Sequence, residues 1–396
     1  MHKLHVLIVG GGFGGVKAAL ELSKHSRIAV TLLSDRSDFR YYPSLYHTAT
    51  GGLHTQSSIP LTAILPTDKV TLALGSAKSI DRDHKTVTTH EGHIIPYDKL
   101  ILALGVVTNY FGIDGLDKYS YGIKSLEEIQ RFKAHLHKQL SGDHLPEPNY
   151  IIIGAGPTGI ELAGALPAYL RSIMLKHGIR HRAVHVDLIE AAPRLLPHSS
   201  KATSRAVRRQ LRRLGIKLYL GKTVQGEKID TLMVDGKPIT SHTVIWTAGT
   251  ANHPFFKHNY FAISDRSKVI VNKFLESEPH IYVIGDNAST PFSGMAQTAL
   301  YDGLFVAHNI VGDLDQKKPN PYKPKKPITV IPAGPRWAAV DGKRFHFTGK
   351  KGWMVREVAD FIGFHDYEPW WKATEQWSTE FGEEENCPIC SAASKA

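Results

Sequence analysis

Cysteine is almost absent from this chain of 396 residues: Cys387 and Cys390 are the only two, both within the last ten positions. A disulfide framework is thereby excluded, and a reducing compartment is the expectation. Long apolar runs are missing as well. None approaches the roughly 20 residues that span a bilayer, so any membrane contact is expected from the side. Acidic side chains are the minority, 37 against 48 basic, for a net charge of +11 at pH 7 with the 22 histidines neutral. Such a surplus suits an anionic membrane surface, nucleic acid or phosphorylated cofactors. No recognised nucleic-acid-binding module accompanies the charge, so nucleic acid is not expected. No His-Glu-x-x-His metalloprotease motif occurs, and no catalytic metal is expected. Met1-His2-Lys3 leads directly into an apolar strand, without the longer apolar region and cleavage site of a secretory signal.

What is present is ample apolar content, 42% hydrophobic, enough for two or three domains of roughly 100–200 residues. Leu4 to Val9 reads as a buried strand, followed by Gly10-Gly11-Gly12-Phe13-Gly14-Gly15 and a helix with Val16, Ala19 and Leu20 on one face. A second apolar run, Ile28 to Leu33, ends at Ser34-Asp35. Strand, glycine turn, helix, strand is half of a doubly wound nucleotide fold. The pattern then recurs. Tyr150 to Ile153, Gly154-Ala155-Gly156-Pro157-Thr158-Gly159, a helix from about Ile160 to Lys176, and Val184 to Ile189 closed by Glu190 repeat the same order. Two such modules imply two nucleotides.

The glycines work by geometry. Gly10 makes the tight turn, Gly12 admits a diphosphate to the backbone, and Gly15 lets helix and strand pack closely; Gly154, Gly156 and Gly159 repeat these roles. The helix N-terminus then offers free N–H groups to the anion. A carboxylate closing the second strand accepts hydrogen bonds from ribose hydroxyls, the place held by Asp35 and by Glu190. At Glu190 a 2′-phosphate would meet negative charge, so NADH is expected over NADPH, with Arg194 placed to soften the preference.

Five ordered segments carry a family resemblance. They are Tyr42-Pro43-Ser44-Leu45-Tyr46 with Ala49-Thr50-Gly51; Tyr97 to Gly105 with Asn109-Tyr110-Phe111-Gly112; Gly156 to Gly164; Val244-Ile245-Trp246-Thr247-Ala248-Gly249; and Gly285-Asp286. Over about residues 4–310 the chain resembles the two-dinucleotide-binding-domain flavoproteins, and among them the type II NADH dehydrogenases. The resemblance implies an α/β fold of two Rossmann-like dinucleotide-binding domains, the second inserted in the first, plus a C-terminal membrane-facing segment. FAD would be held by 1–115 with 251–315, and NADH by 116–250. Residues 316–396 would form a membrane-anchoring or dimerisation segment; the family is often a homodimer. Pro43, Ala103, Gly105, Gly285, Asp286 and Ala296 would lie along FAD, Gly249 with Gly154 on the nicotinamide side. Glu161 matches a family glutamate near nicotinamide and flavin.

With no cysteine before Cys387, dithiol relays and cysteine-based sulfide oxidation are excluded, and electrons leave the reduced flavin directly. The expected activity is hydride transfer from NADH to FAD and two electrons onward to a quinone, menaquinone or ubiquinone, on the cytoplasmic face of the membrane. Met295-Ala296-Gln297-Thr298-Ala299 matches the start of the family's quinone-reading turn, which assigns Gln297 to the acceptor side. Tyr301 and Asp302 stand where further amides are usual; Tyr301 can donate a hydrogen bond to a quinone oxygen, whereas an ionised Asp302 would repel a quinol anion unless it delivers a proton. Two other readings stay open here: a soluble NADH-dependent reductase of an electron-carrier protein or oxygen, and a flavoprotein whose redox state controls partner binding.

Five of the six tryptophans follow the Lys- and Pro-rich stretch 316–327, which reads as a linker. Trp353 to Phe364 is expected as an amphipathic helix lying in the membrane interface, with Trp370, Trp371 and Trp377 beyond it. Lys317 to Lys326 is a membrane-facing candidate, and Lys201 to Lys217 an amphipathic helix with a solvated basic face. Cys387-Pro388-Ile389-Cys390 supplies two of the four ligands that a structural zinc takes, and is expected to be an inert tail.

Overall fold

A computed structural model describes residues 3–141, 149–180, 183–342 and 345–367, with Thr374 and Trp377. The fold is mixed α/β. Strand β1 (Leu4–Val9) leads through the first glycine turn into helix α1 (Phe13–Leu22) and strand β2 (Ile28–Ser34). Strands β3 (Val70–Leu74) and β4 (Lys99–Leu102) follow. Val6, Leu7, Ile8 and Val9 are all buried, which explains the unbroken apolar run, since a parallel sheet is covered on both faces.

The second module begins at β5 (Asn149–Ile153). Helix α2 (Pro157–Lys176), β6 (His185–Glu190), helix α3 (Lys201–Arg213), β7 (Lys217–Leu220) and β8 (Thr243–Trp246) complete it. Its sheet is parallel throughout, in the order β7-β6-β5-β8. The chain then returns to the first sheet through β9 (Glu276–Glu278) and β10 (Ile281–Val283). That sheet has the order β9-β10-β4-β1-β2-β3, with β9 as its one antiparallel member. In both sheets the strand before the glycine turn lies between the next strand and a later one. This is the topological switch point at which open α/β sheets bind ligands. The chain leaves the first sheet along Val106–Thr108 and re-enters along Thr250–Asn252, and these two stretches pair antiparallel.

Helix α4 (Ala296–Leu314) packs on α1, with Met295 as its N-cap residue. Past it the structure departs from expectation. A three-stranded antiparallel sheet, β11 (Thr329–Pro332), β12 (Ala338–Asp341) and β13 (His346–Gly349), precedes the last helix, α5 (Lys350–His365). The short strands Thr-Val-Ile-Pro and Ala-Ala-Val-Asp carry too little periodicity to announce themselves. The basic helix α3 stops at Arg213, and Lys217 already belongs to β7; Ser200 caps its start by accepting the Thr203 N–H. The stretch 316–327 has no regular structure, yet it is tied down: the Tyr322 N–H donates to the Lys273 carbonyl at 2.7 Å.

Candidate active site

The two glycine turns superimpose in their chemistry. Gly10 has φ +114° and Gly154 φ +105°, in the region that favours glycine. A Cβ on Gly15 would sit 2.0 Å from the Gly10 carbonyl oxygen, and one on Gly159 would sit 1.9 Å from that of Gly154. Helix and strand are therefore as close as backbone permits. Gly12 and Gly156 differ: a Cβ there meets nothing within 4 Å. Each is the N-cap of its helix with no side chain capping it. Two open helix N-termini with free N–H groups fit two diphosphates.

Around the first turn, the expected residues converge. A Cβ on Gly10 would lie 2.2 Å from the Ala103 carbonyl oxygen. Asn287 joins the Gly285–Asp286 turn to Gly105, accepting its N–H at 2.8 Å and donating back to its carbonyl. Asp286 accepts the Gly294 N–H at 3.1 Å, and burial pushes its carboxyl up. Behind it Lys268, which the sequence did not single out, donates to the Asp286 carbonyl at 2.6 Å and the Ser293 hydroxyl at 2.7 Å. Asp35 stands exposed at the exit of β2, 3.1 Å from Arg36.

In the second module the Glu190 carboxylate accepts the Ala155 N–H at 2.7 Å and the Ala192 N–H at 2.8 Å. It therefore pins the glycine turn, leaving its remaining lone pairs for a ribose. Arg194 is turned away, its guanidinium donating to the carbonyls of Pro197 and Ser199. The Thr247 hydroxyl donates to Ile153 and Gly154 carbonyls at 2.8 and 3.1 Å, fastening the Thr247–Gly249 turn beside the glycines.

Glu161 lies in the first two turns of α2, 8% exposed, and burial pushes its carboxyl up to about 8. Its nearest charge is Arg356 of α5, with Nη1 3.8 Å from Oε1. Arg356 also donates to the Pro43 carbonyl at 2.9 Å and to Asp360, which accepts the Tyr41 hydroxyl at 3.2 Å. One guanidinium thus joins Glu161 to the Tyr41–Pro43 loop across three distant stretches of chain. Neither Arg356 nor Asp360 was anticipated. Their signal was the four-residue step Gly352, Arg356, Asp360, Phe364, all buried, which is one face of a helix.

On the expected acceptor side, Ala296 opens α4 and Gln297 is exposed. Both ends of the Gln297 amide bond the backbone of Ile328, each at 3.2 Å. Tyr301 packs against Tyr322, with Lys325 Nζ 4.2 Å from its ring centroid. Asp302 requires a correction, for it does not face an acceptor. It is fully buried, accepting the Gly285 N–H at 3.0 Å and the Tyr322 hydroxyl at 2.6 Å, and burial raises it to about 6. It braces the Gly285–Asp286 turn.

Helix α5 inverts the usual amphipathic arrangement. Arg356 and Asp360 face inward, while Met354, Val358 and Ile362 are 62%, 58% and 53% exposed. Trp377 stacks edge-on to Phe361. Trp370, Trp371, Cys387 and Cys390 lie outside the described residues. Among the described residues no group of three or more His, Cys, Asp or Glu is placed to hold a metal, and no helix is long and apolar enough to cross a membrane.

Known proteins share this fold. A type II NADH:quinone oxidoreductase of Mycobacterium tuberculosis, Ndh, is 28% identical over 393 residues, covering 91% of this chain and 84% of its own. The Staphylococcus aureus type II NADH:quinone oxidoreductase is 25% identical, covering 90% of this chain and 94% of its own. In fold, the chain is similar to NDH2 from Plasmodium falciparum in complex with NADH, with a TM-score of 0.82 at 16% identity, covering 96% of this chain and 98% of that one. The sulfide:quinone oxidoreductase of Aquifex aeolicus shares the fold at a TM-score of 0.78 and 23% identity, over 94% and 92% of the two chains. The model of the pyridine nucleotide-disulphide oxidoreductases matches residues 4–303, taking in both glycine turns, Glu161 and the Gly285–Asp286 turn, and the chain belongs to that family.

Proposed function

We propose that this chain is an FAD-dependent NADH:quinone oxidoreductase, with FAD on the first module and NADH on the second. The observation that carries this is the pair of open, uncapped helix N-termini at Gly12 and Gly156 on one chain, with Glu161 of the second module linked to the Pro43 loop of the first. FAD supplies the two-electron relay between NADH and the quinone. The residues supply the rest. The α1 N-terminus, Asp35, Gly105 and the braced Gly285–Asp286 turn hold FAD, and the α2 N-terminus, Glu190 and Gly249 hold NADH. Glu161 presents a carboxyl where the two modules meet. The antiparallel pairing of 106–108 with 250–252 supports the division into 1–115 with 251–315, 116–250, and 316–396.

Gln297 and Tyr301 are assigned to the quinone side, at the start of α4. There Gln297 reaches a quinone only by exchanging its bonds to Ile328. The absence of any cysteine before Cys387 separates the chain chemically from dithiol reductases of the same family. The exposed Met354, Val358 and Ile362 on α5 support peripheral contact with a membrane, because a lipid surface removes that stripe from water; the cytoplasmic side is part of the proposal.

The test is NADH oxidation by the purified yellow protein with a menaquinone analogue, a ubiquinone analogue and ferricyanide. Fast quinone turnover is expected. Failure of NADH to bleach the flavin overturns the reading, and fast ferricyanide with slow quinone turnover moves the acceptor to a protein carrier. Flotation with liposomes tests the membrane contact, which Met354→Ser with Val358→Ser and Ile362→Ser is expected to weaken.

A further inference from the structure

Three ionisable groups meet in the interior with one positive charge between them. Glu161, Arg356 and Asp360 are 8%, 7% and 2% exposed. Two carboxylates sharing one guanidinium leave a net negative charge out of water, which is costly unless a carboxyl keeps its proton. The bonding is unequal. Arg356 Nε donates to Asp360, whose other oxygen accepts the Tyr41 hydroxyl at 3.2 Å. Its Nη2 donates to the Pro43 carbonyl at 2.9 Å. Only Nη1 is turned toward Glu161, and 3.8 Å is beyond hydrogen-bond reach.

Resting on the functional reading above, we propose that Asp360 is a positioning residue: it reserves the Arg356 guanidinium for α5 and the Pro43 loop, leaving Glu161 as the carboxyl that holds a proton between the two cofactor sites. The charged groups facing Glu161 are Arg356 and Asp360, and burial outweighs the attraction of the guanidinium. Asp360 is also pushed up by burial, but Arg356 and Tyr41 bond it directly and oppose that shift. From the flavin loop, Tyr41 and Tyr46 act on Arg356. Burial pushes the His47 imidazole below its usual range, its charged form favours the ionised Asp360, and its ring lies 2.9 Å from the Gln56 amide oxygen. Glu357, on α5, is itself raised by burial.

The arrangement also fixes α5 in place. Tyr41 stacks on Phe364 at 4.5 Å between ring centroids. Thus the same helix that exposes an apolar stripe outward sets the protonation of Glu161 inward.

The test uses the holoenzyme. The infrared spectrum at pH 7 is expected to contain a protonated-carboxyl carbonyl band that Glu161→Gln removes. In Asp360→Asn the freed guanidinium turns to Glu161, so the band disappears and the pH profile of NADH-driven flavin reduction moves down by at least about one unit, a tenfold change in proton concentration. Arg356→Gln moves the profile up, and Arg356→Lys restores it toward wild type. The double variant Arg356→Gln with Asp360→Asn leaves no buried ion unpaired and keeps the band. Absence of a Glu161-dependent band in the wild type overturns the proposal. So does an Asp360→Asn holoenzyme with unchanged band and profile, or, if that variant fails to fold, loss of the band in the double variant. A wild-type flavin that NADH does not bleach overturns the functional reading instead, and the infrared result stands apart from it.

Discussion

Adding one methyl group at Gly156 separates the two nucleotide sites. The backbone there has φ −73° and ψ −179°, extended values that alanine adopts without strain. The new Cβ meets no protein atom within 4 Å. Alanine is a poorer N-cap than glycine by about 1 kcal/mol, offset by about 0.4–1 kcal/mol of lost freedom in the unfolded chain. Stability should therefore stay within about 1 kcal/mol of wild type. The methyl does stand in the approach to the α2 N-terminus, where it displaces a diphosphate oxygen from a backbone N–H. Losing one charge-assisted hydrogen bond costs about 1.5–3 kcal/mol, on the order of 10- to 100-fold in NADH affinity. Stopped-flow bleaching of the flavin against NADH concentration measures this, and flavin absorbance gives the FAD content, which should be unchanged. Gly12→Ala should do the reverse and release FAD. Unchanged NADH affinity in Gly156→Ala, or loss of FAD alongside it, would refute the assignment of the two helix termini.

Three further outcomes follow from the same structure. Glu227 is 6% exposed with Oε2 lacking a hydrogen-bond partner, and burial alone raises it from 4.5 to about 8. The folded chain therefore keeps a proton that the unfolded chain releases, and stability is full below about pH 4.5 and declines as pH rises toward 8. Glu227→Gln should match wild type at pH 5 and exceed it by about 2 kcal/mol at pH 8.5, allowing for relaxation around the charge; an equal difference in thermal midpoint at both values contradicts this. Glu190→Gln should raise the NADH KM roughly tenfold for one lost charge-assisted bond without admitting NADPH, because Arg194 is committed to the Pro197 and Ser199 carbonyls; comparison of kcat/KM for the two nucleotides checks it, and equal values refute it. Asp302→Leu should speed FAD loss on gel filtration, since the buried Gly285 N–H is left unpaired at about 1–3 kcal/mol. A changed quinone KM with normal FAD retention would return Asp302 to the acceptor side.

Both nucleotide modules were legible in the sequence because they are local. A strand, its glycine turn and the following helix occupy only Leu4–Leu22 in the first module and Asn149–Lys176 in the second, and the glycines answer to contacts inside that span or just beside it. Gly15 against the Gly10 carbonyl is such a case. The acceptor side was less legible. Counting along α4 placed Asp302 next to Tyr301 on a quinone, but side-chain direction on a helix turns by about 100° per residue, and Asp302 points inward to Gly285.

The sequence alone determined that the strand–glycine-turn–helix pattern occurs twice, that no cysteine precedes Cys387, and that a carboxylate, Glu190, ends the apolar run after the second turn. These are consequences of spacing and composition. Only the tertiary structure decided which groups share the space between the two modules. Arg356 reaches the Pro43 carbonyl across 313 positions of chain, and no periodicity couples residues so far apart. The apolar pattern of α5 fixed that it is a helix with two faces. Which face turns inward depended on Glu161 and Tyr41 being there to receive Arg356 and Asp360, since a buried ion is tolerated only where its partners already stand.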